Sequence, residues 1–115
     1  VAQFDQVGAS LSLIEDPHLA VAGAQVVYTD AWYSMGQEEE QQVRTKAFAA
    51  WQVNAQLMSE AASNAVFLHC LPAHRNDEVT DEVLDGKQSR VWPQAWNRMH
   101  TARGLMHWLL TDGAA

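Results

Sequence analysis

The 115-residue chain has little of what several classes of protein require. Its single cysteine cannot form an internal disulfide, which suits a reducing compartment. It has 7 Lys and Arg against 14 Asp and Glu residues, a formal net charge of −7, so it lacks the basic surface that binds nucleic acid or anionic lipid. No apolar run approaches the roughly 20 residues that span a bilayer. We therefore predict a cytoplasmic protein that binds neither nucleic acid nor membrane.

Several other sequence features are missing, and each restricts the class of protein. The sequence has no internal repeat, no low-complexity tract, no glycine-rich phosphate fingerprint and no signal-peptide pattern at its first residues. The lack of a glycine fingerprint argues against a nucleotide-binding protein. The length allows one domain at most, and a hydrophobic share of 48% is typical of a folded protein. Five Trp residues indicate either a large core or surfaces that meet another domain or subunit.

Runs of β-branched and aromatic residues alternate with helical patterns along the chain. We predict strands at residues 11–14, 26–29, 65–69 and, briefly, 90–92. Helices are expected near residues 17–23, from 38 onward, at 54–62, as a short helix capped by Thr80 and ended by Gly86, and at 97–110. In the second helix, a buried face is expected from residues at helical spacing: Val43, Ala47, Ala50 and Trp51. The alternation predicts an α/β fold, a partial three-layer Rossmann-like domain with a mostly parallel sheet flanked by helices.

Polar residues follow two of the predicted strands. Because ligands bind outside the carboxyl ends of strands in open α/β sheets, both groups are expected at one rim. After the first strand, Asp30 can pair with an ammonium group, Ser34 offers a hydroxyl and Met35 an adaptable apolar contact. Gly36 gives the backbone freedom of a moving loop. This set suits a zwitterionic amino acid, although a capped turn before a solvated acidic helix start has the same pattern.

After the other strand, the Cys70 thiol could be a nucleophile, a metal ligand, a polarisable contact for substrate or a buried apolar group. His69 and His74 beside it have no recognised zinc spacing and are too few, so we predict no metal and no cofactor. Pro72 could turn the preceding carbonyls toward the rim. Arg98 suits planar recognition of phosphate or carboxylate, although a single Arg is usually solvated.

Several segments, in this order and spacing, resemble the carboxyl-terminal part of the ornithine carbamoyltransferase family. The two most specific are Ser34-Met35-Gly36 and His69-Cys70-Leu71-Pro72. The others are residues 28–32, 37–40, 53–55, 73–75, 78–83 and 97–98. The resemblance implies transfer of a carbamoyl group from carbamoyl phosphate to the δ-amino group of L-ornithine, giving L-citrulline and phosphate. It also implies a homotrimer without a cofactor.

The same resemblance implies roles for individual residues. Asp30 would bind the α-ammonium group of ornithine, while Ser34 and Met35 hold its carboxylate. Cys70 and Arg98 would be the catalytic residues, with Cys70 near the reacting amine. The carbonyls of Cys70 and Leu71 would orient carbamoyl phosphate, and Arg98 would polarise its carbonyl group.

The sequence also departs from the family pattern. It contains neither the Ser-Thr-Arg-Thr-Arg run nor the His-Pro segment that bind carbamoyl phosphate, and residues 92–96 lack the usual carboxylates. Asn76 stands in place of the usual Gly, although Asn tolerates a positive φ. We therefore expect residues 1–115 to be a partial ornithine-binding domain that lacks the carbamoyl-phosphate domain and is inactive alone. The alternative is a non-catalytic amino-acid-binding or oligomerisation module derived from that enzyme.

Overall fold

The computed structural model describes residues 8–33, 36 and 38–111. Its helices are α1 (Pro17–Val21), α2 (Gln41–Phe48), α3 (Ala55–Glu60), α4 (Asp81–Leu84) and α5 (Val91–Thr111). Its strands are β1 (Val26–Thr29) and β2 (Val66–His69), and 3-10 turns at Glu38–Glu40 and Ala49–Trp51 flank α2. Parallel strands flanked by helices confirm the predicted α/β class.

The two strands lie side by side and point the same way. Their register pairs Val26 with Val66 and Thr29 with His69. Phe67, in the middle of β2, is fully buried among the core residues. Because the strands are parallel and end level with each other, the residues that follow them meet at one rim of the sheet.

Two helix starts are capped by side chains, whereas the side chain of Thr80, before α4, makes no capping hydrogen bond, contrary to the prediction of a capped helix there. The Asp16 carboxylate accepts a hydrogen bond from the backbone N–H of His18 at 2.8 Å, with Pro17 in the first helical position. The Asn54 side chain accepts one from Leu57 N–H at 2.9 Å. Gly23, after α1, has a φ of 69°, which suits a residue without a Cβ. Capping residues and helix-ending glycines act on backbone groups within a few positions, so they can be recognised from the sequence alone.

Three predictions about elements were wrong. Residues 11–14 form no strand; Leu13 is 94% exposed, and no strand in the described part of the chain lies beside it to complete a ladder. Residues 90–92 are not a strand either, because α5 begins at Val91, six residues earlier than predicted. There, Gln94 N–H donates to the Arg90 carbonyl at 2.9 Å, and Pro93 fits the first turn since its missing N–H would have no partner.

Helix α2 forms as predicted but does not bury the predicted face. None of its residues is buried, and Val43 is 72% exposed. The spacing of the apolar residues therefore predicted the helix correctly. Within the described part of the chain, however, no segment buries the apolar side chains of α2.

Helix α5 leaves the body of the molecule after its first turns. Val91 is fully buried, whereas every residue from 96 to 111 is exposed. The exposed apolar residues of this stretch are Trp96, Met99, Leu105, Met106, Trp108, Leu109 and Leu110. Among the helices that the structure describes, none combines the length and apolar character of a membrane span.

Candidate functional site

The residues that follow β1 and β2 meet at the rim of the sheet. Asp30 comes directly after β1 and Cys70 directly after β2. The Cys70 thiol donates a hydrogen bond to Asp30 Oδ1 at a sulfur–oxygen distance of 2.8 Å. The backbone N–H of Ala31 donates to the same oxygen at 2.7 Å. The structure thus brings together two of the residues that the sequence singled out.

The electrostatics of this pair follow from its hydrogen bonds. The thiol of Cys70, and next the N–H of Ala31, lower the pKa of the Asp30 carboxyl. Burial raises the pKa of the Cys70 thiol most, followed by its hydrogen bond to Asp30 and the charge of that carboxylate. At neutral pH the pair is therefore a carboxylate and a neutral thiol that donates to it. A thiol in this state is a poor nucleophile, because the thiolate is the reactive form.

Arg98 reaches the same rim from α5. Its Nη1 donates to the Cys70 carbonyl at 3.0 Å, so a cation lies against the backbone of the residue that carries the thiol. Arg98 also lines an open groove of about 680 Å³ between β2 and α5, together with Leu68, Gln94 and Asn97. The guanidinium has five N–H donors, so this single contact leaves donors that can face a ligand.

The backbone after Cys70 turns sharply. Leu71 has a φ of 57°, a left-handed conformation that is uncommon for a residue with a branched side chain, and a cis peptide bond joins it to Pro72. The Leu71 N–H donates to His69 Nδ1 at 2.9 Å. Residues held in such sparsely populated conformations are kept there by their surroundings.

A buried pair behind the rim, His69 and Glu78, provides those surroundings. Both side chains are fully buried, and His69 Nε2 lies 3.1 Å from Glu78 Oε1. Because the Leu71 N–H donates to Nδ1, the ring hydrogen sits on Nε2 and is donated to Glu78. Glu78 Oε1 also accepts the N–H of His74 at 2.6 Å. The pair therefore holds both ends of the segment that carries Cys70 and Leu71.

Sequence reasoning missed this pair. The sequence analysis considered His69 as a metal ligand and as part of the His69-Cys70-Leu71-Pro72 segment, and Glu78 only as part of a motif. The available signal was the alternation of β2, in which Phe67 and His69 face inward. A polar side chain at an inward strand position requires a buried partner.

Two predicted site residues, Ser34 and Met35, lie outside the described residues. Gly36 beside them has a φ of 88°, in line with the backbone freedom expected of it. Across residues 8–33, 36 and 38–111, no cluster of three or more His, Cys, Asp or Glu side chains could hold a metal ion.

Comparison with known proteins identifies the family. The model of the aspartate/ornithine carbamoyltransferase Asp/Orn-binding domain matches residues 1–109. The ornithine carbamoyltransferase of Methanothermobacter thermautotrophicus is 52% identical over 108 residues, which cover 94% of this chain and 36% of the relative. Among solved structures, the ornithine carbamoyltransferase of Pyrococcus furiosus aligns with a TM-score of 0.85 and 46% identity, over 96% of this chain and 35% of the other.

A further solved structure at lower sequence identity belongs to a transcarbamylase of another name. N-acetyl-L-ornithine transcarbamylase, in a variant complexed with the compound PALAO, aligns with a TM-score of 0.77 and 34% identity over 91% of this chain and 32% of the other. The chain spans about a third of the length of each of these relatives. By sequence and by fold, it belongs to the aspartate/ornithine carbamoyltransferase family.

Proposed function

We propose that this chain supplies the ornithine side of an ornithine carbamoyltransferase site. The reaction transfers the carbamoyl group of carbamoyl phosphate to the δ-amino group of L-ornithine and releases citrulline and phosphate. The observation that carries the proposal is the meeting of Asp30, Cys70 and Arg98 at one rim. The family match and the names of the relatives support ornithine as the amino acid.

Asp30 binds the α-ammonium group of the amino acid in this proposal. Its lowered pKa keeps it ionised at neutral pH. Both of its hydrogen bonds within the described residues fall on Oδ1, so Oδ2 has capacity for a cation. Ser34 and Met35 follow in the same loop and hold the α-carboxylate. A fixed ammonium and carboxylate orient the side chain of ornithine toward the rim.

The nucleophile is the δ-amine of the substrate and not the thiol. Cys70, a neutral thiol beside Asp30, contacts this amine, and the turned backbone at Leu71 presents its carbonyl to the amine and to carbamoyl phosphate. Attack on the carbamoyl carbon places negative charge on its oxygen. Arg98, already held at the Cys70 carbonyl, supplies positive charge where this oxyanion develops. The proposal needs no cofactor, because carbamoyl phosphate is already an activated carbamoyl donor whose leaving group is phosphate.

Residues outside these 115 complete the site in this proposal. The sequence contains no Ser-Thr-Arg-Thr-Arg run, and the chain corresponds to about a third of its relatives. In this proposal a carbamoyl-phosphate domain acts together with this partial ornithine-binding domain, in the cytoplasmic homotrimer that the family resemblance implies. The chain alone forms no citrulline.

The activity can be tested by replacing the corresponding third of the Pyrococcus furiosus enzyme with this chain, since the two folds agree closely. The chimera is expected to form citrulline from carbamoyl phosphate and ornithine. Asp30→Asn should abolish this activity, while Glu39→Gln, an exposed acid on the 3-10 turn, should preserve it. A folded trimeric chimera that forms no citrulline would contradict the proposal.

The choice of substrate can be tested in the same chimera. L-Aspartate and N-acetyl-L-ornithine are compared with L-ornithine. An acetylated α-amine carries no charge for Asp30, and aspartate brings a second carboxylate toward it, so both should react poorly. Preference for either one would overturn the assignment of ornithine.

The alternative of a binding module predicts a different result. Calorimetry of the 115-residue chain with L-ornithine separates the two functions. Tight binding that disappears in Asp30→Asn, together with an inactive chimera, would favour the binding module over the enzyme.

A further inference from the structure

The ring of Tyr33 joins two parts of the rim: the first rim segment, residues 30–33 after β1, and the second rim segment, residues 70–79 after β2. It stacks on the imidazole of His74, with ring centroids 4.1 Å apart and an angle of 16° between the planes. The Tyr33 hydroxyl donates a hydrogen bond to Asp77 Oδ2 at 2.9 Å. Tyr33 is only 8% exposed, so the second rim segment holds both the face and the hydroxyl end of a buried ring.

Hydrogen bonds of its own backbone make the second rim segment a firm support for this ring. The N–H of Asp77 donates to the His74 carbonyl at 3.1 Å, and the N–H of Asn76 donates to the Val79 carbonyl at 2.8 Å. From outside the segment, the side-chain amide of Gln52 donates to the carbonyls of Asn76 and Asp77, both at 2.9 Å. The backbone that carries the His74 ring is therefore held without help from Tyr33.

The first rim segment is held from two sides by side chains. On one side, Arg44 Nη1 on α2 donates to the Trp32 carbonyl at 3.1 Å. On the other side, the Tyr33 ring rests on the second rim segment. Asp30 begins the same short segment, so anchorage of the Tyr33 ring restricts how far the Asp30 carboxylate can move away from the Cys70 thiol.

We propose that Tyr33 and His74 are positioning residues of the site, whose stacked rings hold the Asp30 carboxylate against the Cys70 thiol. The same two rim segments are joined twice, by the thiol–carboxylate hydrogen bond at 2.8 Å and by the ring stack. Two contacts prevent the rotation of one segment against the other that a single contact would allow. The proposal deepens the proposed function and rests on it only for the statement that Asp30 and Cys70 belong to the site.

Cys70 reports the position of Asp30, because it is the only cysteine in the sequence. Burial raises the pKa of its thiol most, and the hydrogen bond and charge of Asp30 add to this effect, so the pKa should fall when the carboxylate moves away. The rate of alkylation by iodoacetamide, measured against pH on the 115-residue chain, follows the fraction of thiolate. In Tyr33→Leu, which removes the ring, a fall of about half a unit would speed alkylation about threefold at pH 8.

Three further variants separate the ring stack from other causes. Tyr33→Phe keeps the ring and loses only the hydrogen bond to Asp77, so its pH profile should stay closer to that of the wild type. His74→Ala removes the other ring but keeps the backbone N–H that donates to Glu78, and it should speed alkylation as Tyr33→Leu does. Met58→Ala leaves a cavity in the core beside α4 and lowers stability, but it should leave the profile unchanged.

The Asp30→Asn background shows whether the stack acts through the carboxylate. If it does, Tyr33→Leu should speed alkylation much less in Asp30→Asn than in the wild-type chain. A general loosening of the fold would instead speed alkylation equally in both. Far-UV circular dichroism verifies the fold of each variant. Where Tyr33→Leu does not fold, His74→Ala allows the same comparison, because the His74 side chain is 30% exposed and tolerates truncation better.

Two results would overturn the proposal: a pH profile of alkylation that neither Tyr33→Leu nor His74→Ala changes, or an equal effect of the ring deletion in both backgrounds. Carbamoyl transfer is not part of the measurement. A failure of this proposal is therefore distinguishable from a failure of the proposed function.

Discussion

The Cys70 thiol donates a hydrogen bond to the Asp30 carboxylate, 40 residues earlier in the chain, at 2.8 Å. The two residues meet because β1 and β2 are parallel neighbours that end at the same level, and each residue is the first beyond its strand. The hydrogen bond stabilises the ionised form of the acid and the neutral form of the thiol. Burial contributes most to the raised pKa of the Cys70 thiol, and the contact with Asp30 adds to it.

Replacing Asp30 should make Cys70 more acidic. Asp30→Asn removes the negative charge and leaves only a weaker, neutral acceptor for the thiol hydrogen, so the pKa of Cys70 should fall. At pH 8, each full unit of this fall would increase the rate of iodoacetamide alkylation by about tenfold. Glu39→Gln, which removes a charge from an exposed position, is the matched control. An unchanged rate in Asp30→Asn would show that the contact does not persist in solution.

Removing the carboxylate of Glu78 should destabilise the fold. Glu78→Ala leaves two donors without their acceptor: the buried His69 Nε2–H and the part-buried backbone N–H of His74. At about 1–3 kcal/mol for each unsatisfied donor, the free energy of unfolding should fall by about 2–6 kcal/mol. Urea unfolding followed by Trp fluorescence measures this loss. Glu78→Gln keeps one acceptor oxygen and should lose less, so equal losses in the two variants would contradict this account.

The left-handed backbone conformation of Asn76 should make the stability of the fold depend on which residue replaces it. Its φ is 67°, and its side chain is exposed, so the backbone should dominate the effect of substitution. Asn76→Ala should lower the free energy of unfolding by about 1 kcal/mol, because a Cβ without a compensating polar group disfavours this conformation. Asn76→Gly should be within about 0.5 kcal/mol of the wild type or slightly stabilising. Equal effects of Ala and Gly would show that φ is not the cause.

Tyr33 should make stability depend on pH in the alkaline range. Burial, and next the hydrogen bond that its hydroxyl donates to Asp77 at 2.9 Å, raise its pKa from 10.0 to about 12. A folded-state pKa above the unfolded value contributes stability that is fully present below pH 10 and is lost as the pH rises toward about 12. The raised pKa of Cys70 also makes stability fall at alkaline pH, but it does so equally in the wild-type chain and in Tyr33→Phe. The difference between the two proteins therefore reports Tyr33 alone.

The measurement is the free energy of unfolding in urea at a series of pH values between about 9 and 12. The wild-type chain should lose stability more steeply than Tyr33→Phe over this range. Parallel curves for the two proteins would mean that the phenol titrates alike in the folded and unfolded states.

Capping chemistry explains which elements the sequence predicted correctly. Asp16 with Pro17, and Asn54, mark helix starts through hydrogen bonds and backbone preferences that span three residues or fewer. The predicted strand at 11–14 and the predicted buried face of α2 failed for the opposite reason. Alternation and helical period describe which side of an element is apolar, but only another part of the chain can pair with it or cover it.

The family, the α/β class and the candidate residues Asp30, Cys70 and Arg98 could be predicted from the amino-acid sequence, because strand ends and short motifs consist of adjacent residues. The groups that contact these residues became visible in the folded chain. Glu78 reaches His69 across 9 residues, Gln94 reaches its backbone across 25, and Gln94 reaches Tyr28 across 66. Such contacts depend on the path of the whole chain through space, and no local preference for helix or strand encodes that path.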